Sequence, residues 1–153
     1  FTMIGSPWDV EARRLGLKVI ADSAKLPLPR FQLLGVNVQR KYLAANRDVV
    51  TGFVKGLVEG VRYSRANKEE TKQIVGRWLK LTDGETLESG YSYYAPLYKE
   101  YPEPTAEGIK SALAFMARFP RVYGVQAAGA DPAAFIDTSV IDELTRQGFV
   151  GRR

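Results

Sequence analysis

The chain has 153 residues, 45% hydrophobic and 25% charged, the proportions of an ordinary globular chain of about one-domain length. It holds no histidine and no cysteine, which removes the central atom of a Ser-His-Asp triad, a cysteine nucleophile, a histidine general base and a Cys/His zinc site. Its net charge is +5, with 15 Lys/Arg against 7 Asp/Glu in residues 1–80 and 7 against 10 in residues 81–153.

The basic residues come singly or in pairs, such as Arg13-Arg14 and Arg40-Lys41, with no RNP-type strand or zinc finger. They read as a solvated face, and no nucleic-acid partner is expected. No apolar run approaches the ~20 residues of a membrane-spanning helix. The first residue is Phe1, with no charged and apolar leader pattern after it, so the native start is expected elsewhere.

In chain order, Ser6-Pro7-Trp8-Asp9 reads as a helix start, with Ser6 as cap, Pro7 in the first turn and Asp9 completing an S-x-x-D capping box. The helix runs over 7–15 and stops at Gly16; residues 17–20 then read as a short strand. Residues 31–38 read as a second strand, with Val36 and Val38 alternating around Asn37 and Gly35 as a bulge or close-approach point.

From Asn46 the pattern is helical. Val50, Phe53/Val54, Leu57/Val58 and Val61 recur at three and four residues, which predicts a helix over 47–66. Gly52, Gly56 and Gly60 share one stripe of it, where a neighbouring element could approach closely. Asn67 to Glu70 and Thr82 to Glu85 look like two further capping boxes. The first opens a helix over 68–80 burying Ile74, Val75, Trp78 and Leu79. The second opens one over 84–99 whose stripe is Leu87, Tyr91, Tyr94 and Tyr98. Thr105 caps a helix over 105–118 carrying Ile109, Ala112, Leu113 and Met116. Residues 121–136 read as a long connection, and Asp137 or Thr138 begins a last helix over 138–147 through Val140, Ile141 and Leu144.

The fold class read from these elements is mainly α with a small β element, about six helices and two strands. Two strands are marginal alone, and one that is apolar on both faces expects further strands and helices around it. The pattern is that of a piece of a larger α/β protein.

Several stretches in order resemble a family. They are Ser6-Pro7 with Glu11-Ala12 and Leu15-Gly16; the strand at 34–38 leading into Tyr42-Leu43; Asn46-Arg47-Asp48 with Phe53-Val54-Lys55-Gly56-Leu57-Val58-Glu59-Gly60; Asn67-Lys68-Glu69-Glu70; Tyr94 with Tyr101-Pro102; Thr105-x-Glu107-Gly108-Ile109; and Phe135-Ile136-Asp137 with Glu143-Leu144. The set resembles the C-terminal half of ABC-transporter substrate-binding proteins of the sulfonate, nitrate, taurine and thiamine-precursor type. The resemblance implies a bilobed, type II periplasmic-binding-protein fold for the parent. Residues 1–30 would be a remnant of its second lobe, and residues 31–153 the hinge strand and C-terminal helices of its first. It further implies a periplasmic or extracellular membrane-attached location, a small-molecule ligand and an ABC permease as partners, no catalysis and no cofactor. The absent first half of the same protein, or self-association, would cover the open core.

The candidate ligand-binding residues are Gly5, Ser6, Pro7, Trp8 and Asn37. The first four stand at a helix start, where free N–H groups favour an anionic ligand group; the alternative is a plain cap with a packed indole. Asn37 either faces the cleft or bonds a neighbouring loop. Tyr91, Tyr94, Tyr98 and Trp78 read as core residues, and Glu69-Glu70 and Glu85/Glu88 as capping and solvated groups without acid/base chemistry. The functional expectation is a solute-binding component for an anionic or heteroaromatic molecule. The alternative is a stand-alone helical interaction or regulatory module whose basic half binds an acidic partner.

Overall fold

A computed structural model of the chain describes residues 2–22, 25–27, 31–32, 34–101 and 103–151. Eight α-helices are present among them: α1 (Trp8–Arg14), α2 (Arg40–Ala45), α3 (Arg47–Ala66), α4 (Lys68–Leu79), α5 (Gly84–Tyr94), α6 (Ala106–Ala117), α7 (Pro120–Tyr123) and α8 (Ser139–Arg146). The fold is mainly helical, and no strand occurs among the described residues. The strands expected at 17–20 and 31–38 are therefore corrected, although Leu33 and the stretch 28–30 lie outside the described residues. A strand needs a neighbour to hold its backbone groups, and none of the described segments supplies one. The connection expected at 121–136 instead carries α7 and two 3₁₀ turns, Val125–Ala127 and Pro132–Phe135. Helix α2 was not foreseen, and α5 stops at Tyr94, short of the expected 99.

The chain forms two compact units, residues 1–24 with 56–100 and residues 25–55 with 101–153. In the first unit α1 packs on α5 and α4 on α5. Pro7 is buried against Gly90, whose added Cβ would come within 3.2 Å of the proline ring. Gly76 is fixed more tightly, since a Cβ there would meet the Leu81 carbonyl oxygen at 2.8 Å. In the second unit α6 packs against α7 and both 3₁₀ turns. Val140, Ile141, Leu144 and Val150 are buried, and Leu144 is completely enclosed.

The helix ends show which capping signals were real. Gly16, with φ +81°, closes α1 as a Schellman motif: its N–H bonds the Arg13 carbonyl and the Leu17 N–H bonds Ala12. Gly148 closes α8 the same way through Thr145 and Leu144. Thr105 caps α6 as expected, accepting from the Gly108 N–H at 3.2 Å. The cap of α5 is Asp83, one residue later than Thr82; its carboxylate accepts from the Thr86 N–H at 2.8 Å and the Thr86 hydroxyl at 2.6 Å. Asn67 does not cap α4 with its side chain. It donates backwards to the Tyr63 carbonyl at 3.0 Å, as Asn46 does to Tyr42 at 3.1 Å, so each asparagine ties off the helix before it.

The apolar stripes are only partly buried. On α3, Val50, Val54 and Val58 are inside, while Phe53 is 62% exposed. Gly52, Gly56 and Gly60 have nothing within 4 Å of an added Cβ, so no described element approaches that stripe. On α4, Trp78 is 83% exposed, with Val75 and Leu79 also exposed, which corrects the expected burial. Three- and four-residue spacing sets which side chains share a face; whether anything covers that face is a separate, tertiary matter.

Candidate functional site

Gly5, Ser6, Pro7 and Trp8 lie together in the first unit at the head of α1. The cap residue is Pro7 and no side chain caps the helix, so the S-x-x-D box with Ser6 as cap is corrected. The Ser6 hydroxyl oxygen is buried and has no hydrogen-bond partner among the described residues. Its carbonyl is held by the Tyr94 hydroxyl at 2.8 Å, and the Gly5 carbonyl accepts from the Trp8 N–H at 3.1 Å. Tyr94, expected in the core, is half-buried, and its hydroxyl positions the Ser6 backbone. The signal for it was the stripe shared with Tyr91, whose own hydroxyl bonds the Ser64 carbonyl at 2.9 Å.

Trp8 is half exposed, with an indole free to cover an apolar body. Asp9 pairs with Arg13 at 2.9 Å through one oxygen, and its other oxygen is buried without a hydrogen-bond partner among the described residues. Helix α1 has only seven residues, so the dipole argument for an anion at its head loses most of its force. What remains is an unpaired hydroxyl next to an exposed indole. Nearby, Arg14 bridges Asp83 at 3.2 Å and Glu85 at 2.5 Å. These hydrogen bonds, that to Glu85 foremost, push the Arg14 pKa up.

Asn37 belongs to the second unit. It lines a cavity of about 720 Å³ together with residues 34–38, the inner faces of α2, α3, α6 and α8, and parts of 126–137. The Ile109, Ala112, Leu113 and Met116 stripe of α6 forms a wall of this cavity and is only half buried. Asn37 is exposed and donates to the Gly35 carbonyl at 3.3 Å, a bond within its own segment and not to a neighbouring loop. The other polar side chains in the lining are those of Gln32, Arg40, Tyr123, Gln126 and Asp137. Arg40 donates to the Ala134 carbonyl. The Asp137 carboxyl is held below its ordinary range by its hydrogen bond from Ser139. Tyr123 and Ala134, from the stretch taken for a plain connection, also line the cavity; its Ala- and Gly-rich composition carried no periodicity that would have flagged them.

No group of three or more acidic side chains is arranged to hold a metal ion among the described residues. No described helix is long and apolar enough to cross a membrane. No family model matches the chain, and neither a curated protein nor a solved structure matches it.

Proposed function

We propose that this chain is the C-terminal half of an ABC-transporter substrate-binding protein of the sulfonate, nitrate, taurine and thiamine-precursor type. In the complete protein it would help capture a small anionic or heteroaromatic molecule in a cleft between two lobes and present it to a permease. The step is non-catalytic: a clamp closes on the ligand by hinge motion. Gly5, Ser6, Pro7, Trp8 and Asn37 are its proposed ligand-contacting residues.

One observation carries the reading. The strand-patterned stretches at 17–20 and 34–38 sit where the resemblance places sheet elements, yet they have no ladder among the described residues. Several of their apolar side chains remain largely exposed, among them Ile20 at 87% and Leu34, at the cavity edge, at 71%. Exposed apolar segments of this kind are what a piece of an α/β sheet protein leaves when its neighbouring strands are elsewhere. The unpaired Ser6 hydroxyl adds a polar group in need of a partner at the expected contact site.

The test is mass spectrometry of small molecules released from the full-length protein, followed by calorimetric titration of the released compound. The reading expects a stoichiometric ligand, and an upstream frame encoding some 150 or more residues of α/β pattern. A start codon immediately before Phe1, with no bound small molecule, would overturn it.

A further inference from the structure

We propose that Tyr94 is the positioning residue of the candidate ligand loop: from the end of α5 its hydroxyl, with Gly90 one turn earlier, fixes the backbone of Gly5 to Trp8 and thereby the affinity of that loop. The ligand half of this inference rests on the binding-protein reading; the positioning half concerns the first unit by itself. Helix α1 cannot set its own head. It has seven residues and no side-chain cap, and a helix of two turns is marginal in water unless tertiary contacts hold it.

The contacts that hold it come from α5 and run along its length. At the head, the Tyr94 hydroxyl donates to the Ser6 carbonyl at 2.8 Å, and a Cβ added at Gly5 would lie 3.9 Å from the same hydroxyl oxygen. Pro7 is buried against Gly90, where an added Cβ would stand 3.2 Å from the Pro7 Cβ. At the tail, Arg14 reaches Asp83 and Glu85 at the opposite end of α5. The two helices therefore run antiparallel, with the loop delivered to the C-terminal half of α5.

The two ends do not weigh equally. The side chains of Arg14, Asp83 and Glu85 are 41%, 43% and 71% exposed, and exposed ion pairs contribute little. The Tyr94 bond is partly buried, and its ring is steadied by Tyr93, edge-on at 5.0 Å, and by Tyr98, stacked at 6.4 Å. A hydroxyl on so constrained a ring holds the Ser6 carbonyl, and the peptide it belongs to, in one orientation. The Ser6 hydroxyl and the Trp8 indole flank that peptide, so their placement follows from it. A loop ordered beforehand loses less entropy when it binds.

The experiment compares Tyr94→Phe, which removes only the hydroxyl, and Gly90→Ala, which presses on Pro7, with Arg14→Gln at the tail as control. The loop is read in the 153-residue chain by site-resolved amide exchange and by Trp8 fluorescence anisotropy, with the exposed Trp78 replaced by phenylalanine; thermal melts read the fold. Tyr94→Phe should speed exchange of the Trp8 amide, which bonds the Gly5 carbonyl, by about fivefold. It should also lower the anisotropy while helical circular dichroism stays unchanged. Gly90→Ala should act in the same direction, and Arg14→Gln should leave both loop signals as they are. In the complete protein, calorimetric titration with taurine, nitrate and benzenesulfonate should show the Tyr94→Phe variant binding about fivefold more weakly than the parent. Loop signals unchanged in Tyr94→Phe, loop signals changed equally in Arg14→Gln, a lowered melt with the loop signals intact, or undiminished affinity in Tyr94→Phe would each overturn the proposal. A parent protein that binds none of the three probes would count against the binding-protein reading, and the loop signals would then decide the role of Tyr94 on their own.

Discussion

Replacing Ser6 with alanine separates two readings of the same residue by the sign of a stability change. If Ser6 capped α1, the substitution would remove a hydrogen bond to a helix N–H and cost ~0.5–2 kcal/mol. In the structure the cap position is Pro7, and the Ser6 hydroxyl is buried without a partner among the described residues. Burying an unpaired hydroxyl costs ~1–3 kcal/mol by protein mutational data, and alanine removes that cost while keeping the Cβ. Ser6→Ala should therefore stabilise the chain, by about 1 kcal/mol, since the small void left by the oxygen offsets part of the gain. For a chain of this length that is an increase of roughly 2–4 °C in Tm. Urea unfolding followed by circular dichroism would show a higher midpoint with an unchanged slope. On the proposed ligand-binding reading, the same substitution in the complete protein should lower ligand affinity, because alanine lacks the hydroxyl that would pair with the ligand. Stability gained with affinity lost is the signature of a group kept for function. A loss of 0.5 kcal/mol or more on Ser6→Ala would refute the argument and restore the cap.

Three further outcomes follow from the caps, the glycines and the carboxylates. Thr105→Ala, which removes the bond to the Gly108 N–H, should cost ~0.5–2 kcal/mol; Thr82→Ala should fall within about 0.5 kcal/mol of zero because Asp83 is the cap of α5. Gly52→Ala and Gly56→Ala, with open space around each Cβ, should each stabilise by ~0.8–1.0 kcal/mol, whereas Gly76→Ala should destabilise because its Cβ would meet the Leu81 carbonyl oxygen at 2.8 Å; thermal melts of the three variants decide this. Asp83 is held down to about 2 chiefly by its Thr86 hydrogen bonds, and Glu88 to about 2 chiefly by Lys68. A carboxyl with a depressed folded pKa contributes stability above its unfolded value, which is lost as pH falls through the folded one. Helicity supported by these groups should thus fall between about pH 4 and pH 2. Salt at 1 M should weaken the Glu88 contribution more than that of Asp83, whose main partner is uncharged. An acid titration indifferent to Asp83→Asn and Glu88→Gln would count against both assignments.

The charge distribution changes meaning once the units are known. Along the sequence the first 80 residues look basic, but the compact units interleave the chain. Residues 1–24 with 56–100 hold 10 Lys/Arg and 10 Asp/Glu, and residues 25–55 with 101–153 hold 12 and 7. Counted by unit, the net positive charge falls in the sequence of the unit with the cavity.

Local sequence determined most of the helices. Helix α3 occupies 47–66 as its three- and four-residue spacing required, and α4, α6 and α8 fall within a residue of the expected bounds. The Gly16 stop and the Thr105 cap were likewise legible, because a left-handed turn or a side-chain bond to a nearby N–H is decided within a few residues. Tertiary structure decided the rest. It left 17–20 and 34–38 without a ladder, since pairing depends on residues far away or outside the chain. It also left Trp78 and the α3 glycines uncovered, exposed an Asn37 that bonds only its own segment, and sealed the Ser6 hydroxyl without a partner. A residue's periodicity names the face on which it lies; only the packing of distant segments determines whether that face meets protein, ligand or water.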